Sequence, residues 1–133
     1  MNKKLVMDTG ALTLFFIGDA RIKPYFEAIE GKRAVGYVCS VNLVEYCYKT
    51  CQKLGSDTAH LRYQQIRTLL QQVETDSRLS QAAADEKCRN NLLSLADSFA
   101  LALTRNLKAT LLTTDSELGT SKNADVKLFH LKS

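Results

Sequence analysis

The chain has 133 residues, 45% hydrophobic and 24% charged, with a net charge of +4, close to the averages for soluble globular proteins. No apolar run approaches the roughly 20 residues of a membrane span, and after Lys3 and Lys4 the apolar run Leu5-Val6-Met7 is stopped at Asp8, too soon for a signal peptide. One cytoplasmic domain over residues 1–133 is therefore expected, with a basic balance that permits a polyanionic partner without requiring one.

In chain order, Leu5 to Met7 reads as a first strand ending at Asp8. Ala11 to Ile17 reads as a short apolar helix closed by Gly18, and Ala20 to Ile29 as a second helix with Pro24 in its first turn. Val35 to Cys39 is a second strand. Helices are expected over Val41–Leu54, Thr58–Val73, Leu79–Cys88 and Asn90–Asn106, then strands over Ala109–Thr113 and Val126–His130. Short apolar runs alternating with helical periods indicate an α/β fold. No internal repeat, low-complexity segment or linker interrupts the pattern.

The placement of four acids is more informative than their number. Asp8 follows the first strand, Glu45 lies early in the helix after the second, and Asp115 follows the strand "TLLTT". In parallel α/β sheets the ligand crevice lies beyond the carboxyl ends of the strands, so these acids converge there if their strands are neighbours. Asp97 is the fourth. Its helix carries Leu92, Leu93, Leu95, Ala96, Phe99, Ala100, Ala102 and Leu103 around most of its circumference and is expected to be buried. Asn90, Ser94, Asp97 and Thr104 share a narrow side of that helix, near Arg105, with Leu101 interrupting it.

Each acid also has a plainer reading. Asp8 fits an N-cap, "NLVE" from Asn42 to Glu45 and "TDSE" from Thr114 to Glu117 fit capping boxes, and Asp97 fits a satisfied core hydrogen bond. Clustered, however, two carboxylates ~5 Å apart repel by roughly 3 kcal/mol at an effective dielectric near 20. A hard divalent cation, Mg²⁺ or Mn²⁺, answers that repulsion and suits oxygen ligands.

Cys39, Cys47, Cys51 and Cys88 are expected to be buried thiols rather than a disulfide framework. Cys47 and Cys51 with His60 lack a second pair at zinc-ligand spacing, and His60 and His130 read as surface residues. A phosphoenzyme using Asp8 is disfavoured because position 10 is Gly and no late lysine stands in register.

The stretches "LVMDTGAL" (Leu5–Leu12), "CSVNLVEYCY" (Cys39–Tyr48) and "LSLADSFALALTRNLKATLLTTDSEL" (Leu93–Leu118), in this order and spacing, resemble the PIN domain. The nearest type is the VapC-like toxin ribonucleases of toxin–antitoxin pairs. The resemblance implies a three-layer α/β/α sandwich with a mainly parallel central sheet. It implies that Asp8, Glu45, Asp97 and Asp115 are the catalytic acids and hold Mg²⁺ or Mn²⁺, with Thr9 and Thr113 flanking them. It also implies an RNA substrate, a cognate antitoxin whose C-terminal segment blocks the acidic pocket, and a homodimer. Gly10 departs from the Ser often found after "DT" and removes a hydroxyl near the metal; that departure keeps open a catalytically silent RNA- or protein-binding module.

RNA would need positive charge beside such an acidic pocket. Lys87, Arg89, Arg105 and Lys108 flank the Asp97 helix, and Arg62 and Arg67 lie on the fourth helix; these are the expected phosphate contacts. Tyr46, Tyr48 and Tyr63 fit core or antitoxin-groove packing better than base stacking.

Overall fold

The computed structural model describes residues 3–131. Five strands form one sheet: β1 (Lys3–Met7), β2 (Ala34–Cys39), β3 (Gln71–Val73), β4 (Thr110–Thr113) and β5 (Asp125–Leu128). Their order is β3-β2-β1-β4-β5, and every pairing is parallel. Six α-helices flank the sheet: α1 (Thr9–Phe16), α2 (Lys23–Glu30), α3 (Ser40–Leu54), α4 (Ser56–Leu69), α5 (Ser77–Arg89) and α6 (Leu95–Leu107). The expected α/β/α sandwich is the observed architecture.

Strand alternation divides the core in two, because successive side chains point to opposite faces. Leu5, Met7, Val38 and Leu112 pack with Leu12, Phe26, Leu43 and Ile66 of α1–α4. Val6, Cys39 and Leu111 pack on the other side with Leu79 and Ala83 of α5 and Leu101 of α6. β1 is the central strand, β4 beside it is buried throughout, and their carboxyl ends lie side by side through the Met7–Leu112 pairing.

Three elements differ from expectation. The fourth helix stops at Leu69 rather than Val73, because buried Leu70 turns extended and residues 71–73 pair with Tyr37–Cys39 as the edge strand β3. A short 3-10 turn, Leu118–Thr120, follows β4. The last helix begins at Leu95, not Asn90. The Asn90 side chain accepts from the Leu92 amide to form a local turn, and Ser94 caps the helix. Leu92 and Leu95, counted with the buried surface above, are 78% and 61% exposed. Helix α2 begins at Lys23 with Pro24 in its first turn.

All four cysteines are free; Cys39 is buried, whereas Cys51 and Cys88 are exposed rather than buried. Among the described residues no helix is long and apolar enough to cross a membrane.

Candidate active site

The four acids reach one cleft of about 490 Å³ at the carboxyl ends of β1 and β4. Each arrives from a different element. Asp8 is the residue after β1 and the N-cap of α1, and it is 2% exposed. One carboxylate oxygen accepts from the Ala11 amide at 2.8 Å and the other from the Thr113 hydroxyl. Capping and membership of the cluster are therefore one arrangement, not alternatives. Thr113, the last residue of β4, also accepts from the Asp115 amide at 2.9 Å, so one buried hydroxyl sets both Asp8 and the turn carrying Asp115.

Asp115 uses one oxygen, Oδ1, to accept from the Glu117 amide at 2.8 Å. Asp97 lies in the first turn of α6, where the Ser94 hydroxyl accepts from its amide at 3.0 Å. It is half-buried rather than sunk in mid-helix, and the positive end of α6 favours its negative charge. Glu45 stands in the second turn of α3, with Lys49 Nζ 3.8 Å from its carboxylate.

Electrostatics confirm the crowding. Burial pushes the Asp8 carboxyl up to about 6, its hydrogen bonds from Thr113 and Ala11 pull it down, and the charges of Asp115 and Glu45 push it up again. Burial, then the hydrogen bond and charge of Asp115 and the charge of Asp8, push Asp97 up to about 7. Such shifts mark a group of carboxylates short of positive charge.

The oxygen-only donor set is of the kind that suits a hard divalent cation. Among the described residues, no three His, Cys, Asp or Glu side chains are drawn into a ready-made ligand cage. The acids instead border an open cleft, a geometry that fits an ion retaining several of its own waters.

Around the acids, the structure separates neighbours that sequence grouped together. Thr113 bonds to Asp8, but the Thr9 hydroxyl donates to the Asn42 carbonyl at 3.4 Å. Asn42 is not a helix cap; the N-cap of α3 is Cys39, and Asn42 is fully buried. Its Nδ2 donates to the Ala96 carbonyl at 3.2 Å, tying α3 to the first turn of α6, and its Oδ1 is buried without a partner among the described residues. The supposed polar side of α6 is dispersed: Asn90 donates to Glu117, and buried Thr104 donates to the Ala100 carbonyl.

The expected phosphate contacts lie outside this cleft. Lys87 donates to the Leu93 carbonyl at 2.6 Å, Arg89 and Arg105 pair with Glu86, and Lys108 borders a depression at the opposite end of β4. The cations that do line the cleft are Lys49 and Lys53. Their spacing of four and eight residues from Glu45 places them on its face of α3, the signal that would have found them. Arg62 reaches an adjoining groove that shares Lys49 and Lys53 with the cleft, and donates to the Tyr46 hydroxyl at 3.0 Å.

Gly10 has a steric reason. A Cβ there would lie 2.0 Å from Thr114 Oγ1, so the first turn of α1 packs on Thr114 only without a side chain at position 10. A threonine hydroxyl thus occupies the space of the missing residue-10 side chain, on the cleft wall.

Known proteins place this arrangement. A family model for the PIN domain matches residues 5–121. The fold is similar to that of VapBC2 from Rickettsia felis bound to a DNA fragment from its promoter, with TM-score 0.80, 11% identity, and 95% of this chain and 98% of that chain covered. It is similar to VapC20 of Mycobacterium tuberculosis, described as a sarcin-ricin loop cleaving toxin, with TM-score 0.70, 18% identity, and 89% and 95% covered. A toxin–antitoxin complex from Klebsiella pneumoniae gives TM-score 0.72, 13% identity, and 96% and 99% covered. No curated protein matches the chain in sequence.

Proposed function

The chain belongs to the PIN domain family, and from that premise we propose that it is a Mg²⁺- or Mn²⁺-dependent endoribonuclease, the toxin of a toxin–antitoxin pair. The observation that carries this reading is the convergence of Asp8, Glu45, Asp97 and Asp115, from four separate elements, on one cleft. The upward pKa shifts of Asp8 and Asp97, caused first by burial and then by neighbouring carboxylates, support it, since a bound cation would offset both causes.

In this reading the four carboxylates hold the ion. The chemistry a bound divalent ion supplies is charge stabilisation at the phosphoryl oxygen and a more acidic attacking water. The protein's own part is mostly positioning. Thr113 locks the rotamer of Asp8, Ser94 fixes the turn that presents Asp97, and Asn42 joins the elements carrying Glu45, Asp97 and Asp8. Lys49 and Lys53 neutralise phosphates entering an otherwise anionic cleft. The carboxylate oxygens are the acceptors that the cleft offers for the proton leaving the water.

The neighbouring structures from Rickettsia felis and Klebsiella pneumoniae are a VapBC and a toxin–antitoxin complex, which supports a cognate antitoxin as partner; a homodimer is the proposed assembly. The test is cleavage of mixed structured RNAs by antitoxin-free protein. Asp97→Asn and chelation should each lower the rate at least 100-fold with the fold intact by circular dichroism. Cleavage at wild-type rate in the variant would overturn the assignment.

A further inference from the structure

A second cavity, of about 440 Å³, lies behind one wall of the acid cleft. Two turns make that wall. In residues 90–94, Ser94 lines the cleft and Leu93 the second cavity; in residues 115–118, Asp115 lines the cleft and Glu117 the second cavity. Asp115 and Glu117 are two residues apart, so their backbones lie within ~7 Å. The two spaces are therefore neighbours across one thin wall.

The cavity has an apolar floor of Leu93 and Leu101, each 2% exposed. Its rim is held rigidly. Buried Glu86 accepts from Arg105 Nε at 2.5 Å and pairs with Arg89 at 3.2 Å. Arg105 in turn donates to the Lys122 and Asn123 carbonyls at 2.8 and 3.0 Å. Asn90 Nδ2 donates to Glu117 Oε1 at 3.0 Å, which orients that carboxylate. The Ser121 hydroxyl is buried and has no hydrogen-bond partner among the described residues. An unpartnered buried hydroxyl is costly unless a ligand or water meets it.

We infer that this cavity receives a guanine base of the RNA strand whose phosphodiester enters the acid cleft, an inference that rests on the nuclease reading above. An apolar slot with polar groups at its edge suits a splayed-out base, the usual target of sequence-specific RNA recognition. An ionised carboxylate only accepts. Guanine alone among the RNA bases offers two adjacent donors, N1–H and the 2-amino group, and so satisfies Glu117 through both. Its O6 and N7 acceptors are then left for donors that also line the cavity, the Arg89 guanidinium and the Ser121 hydroxyl. Uracil would turn carbonyl oxygens toward the Glu117 carboxylate, a repulsive mismatch of the kind that sharpens specificity.

The test uses the full-length Asp97→Asn protein with Mg²⁺ and pentauridylate carrying a single guanosine or adenosine at each position in turn, followed by fluorescence anisotropy. One register should bind about ten-fold more tightly with guanosine than with uridine or adenosine. Glu117→Gln keeps the size of the side chain but presents one donor and one acceptor, so it should move the preference in that register toward adenosine. Ser121→Ala should reduce the guanosine gain without abolishing binding of pentauridylate. Equal affinity in every register, or a guanosine preference that persists in Glu117→Gln, would overturn the pocket assignment while RNA cleavage by the wild type leaves the nuclease reading standing. Absence of both cleavage and pentauridylate binding would overturn the nuclease reading and the pocket with it.

Discussion

The Asp8 carboxylate gives one oxygen to the Ala11 amide and the other to the Thr113 hydroxyl while sitting 2% exposed beside other acids. Its folded-state pKa, about 6, lies above its ordinary value of 3.8, as does that of Asp97 at about 7. For carboxyls raised in this way the native state binds protons more tightly than the unfolded chain. Their stabilising contribution is full below about 3.8 and is lost as pH rises through 6 to 7. The metal-free protein should therefore melt at lower temperature at pH 8 than at pH 5. The difference from Asp8 alone is about 1.4 kcal/mol, because only the interval from pH 5 to its folded pKa of about 6 falls within this range, and excess Mg²⁺ should recover much of it at pH 8. Scanning calorimetry from pH 5 to 8 with and without chelator checks both statements; a flat metal-free profile would contradict the burial of Asp8. Asp8 was legible in the sequence because a residue directly after a strand lies at that strand's carboxyl end, the ligand edge of a parallel sheet. The fate of Arg105 was not, because its partner Glu86 sits on another helix at no readable spacing; Arg89 meets the same Glu86 within α5 at i,i+3, a spacing the sequence does display.

Helix α6 shows how an element's first residue decides a site. Starting at Leu95 instead of Asn90 moves Asp97 from the middle of the helix to its first turn, under the Ser94 cap. Ser94→Ala should lower stability by about 1 kcal/mol, measurable by urea denaturation, and should lower cleavage further than that loss alone accounts for, because the turn presenting Asp97 loosens. Helix α3 contributes by its face. Lys49→Ala and Lys53→Ala should each weaken RNA binding at all sequences and reduce the slope of log affinity against log salt by about 1; anisotropy titrations across salt concentrations provide the measurement. Sequence reading found most helices through their apolar period but missed β3, because three residues are too few to display alternation and Gln71 and Gln72 are polar. The capping box at Asn42 was misleading for a physical reason: the helix begins two residues earlier, and the amide is buried against Ala96 instead.

At the scale of the molecule, the parallel sheet places β1 and β4 at its centre, so their carboxyl ends open between helices from both layers. The layers are not held by apolar packing alone. Glu86 of α5 grips Arg105 of α6, which holds the carbonyls before β5. Glu86→Ala should cost about 2 kcal/mol, below the 3–5 kcal/mol typical of a fully buried pair, because Arg105 is 30% exposed. Chemical denaturation gives that value, and a neutral result would show the pair to be dispensable. The α/β class was legible from alternating strand and helix patterns and the three-layer arrangement from the family resemblance, whereas the second cavity depends on three-dimensional neighbours that no local pattern records.

The direction of the outer strand β5 bears on how the protein can be handled. Being parallel to β4, it delivers the chain to the same edge as the acids: Leu131 lines the cleft, and the His130 carbonyl is held by Arg21 at 2.8 Å. The strand β1, by contrast, enters from the opposite edge. An affinity tag or fluorophore joined beyond Leu131 therefore starts at the mouth of the cleft and competes for the space RNA would use, whereas one joined ahead of Lys3 starts a full strand length away.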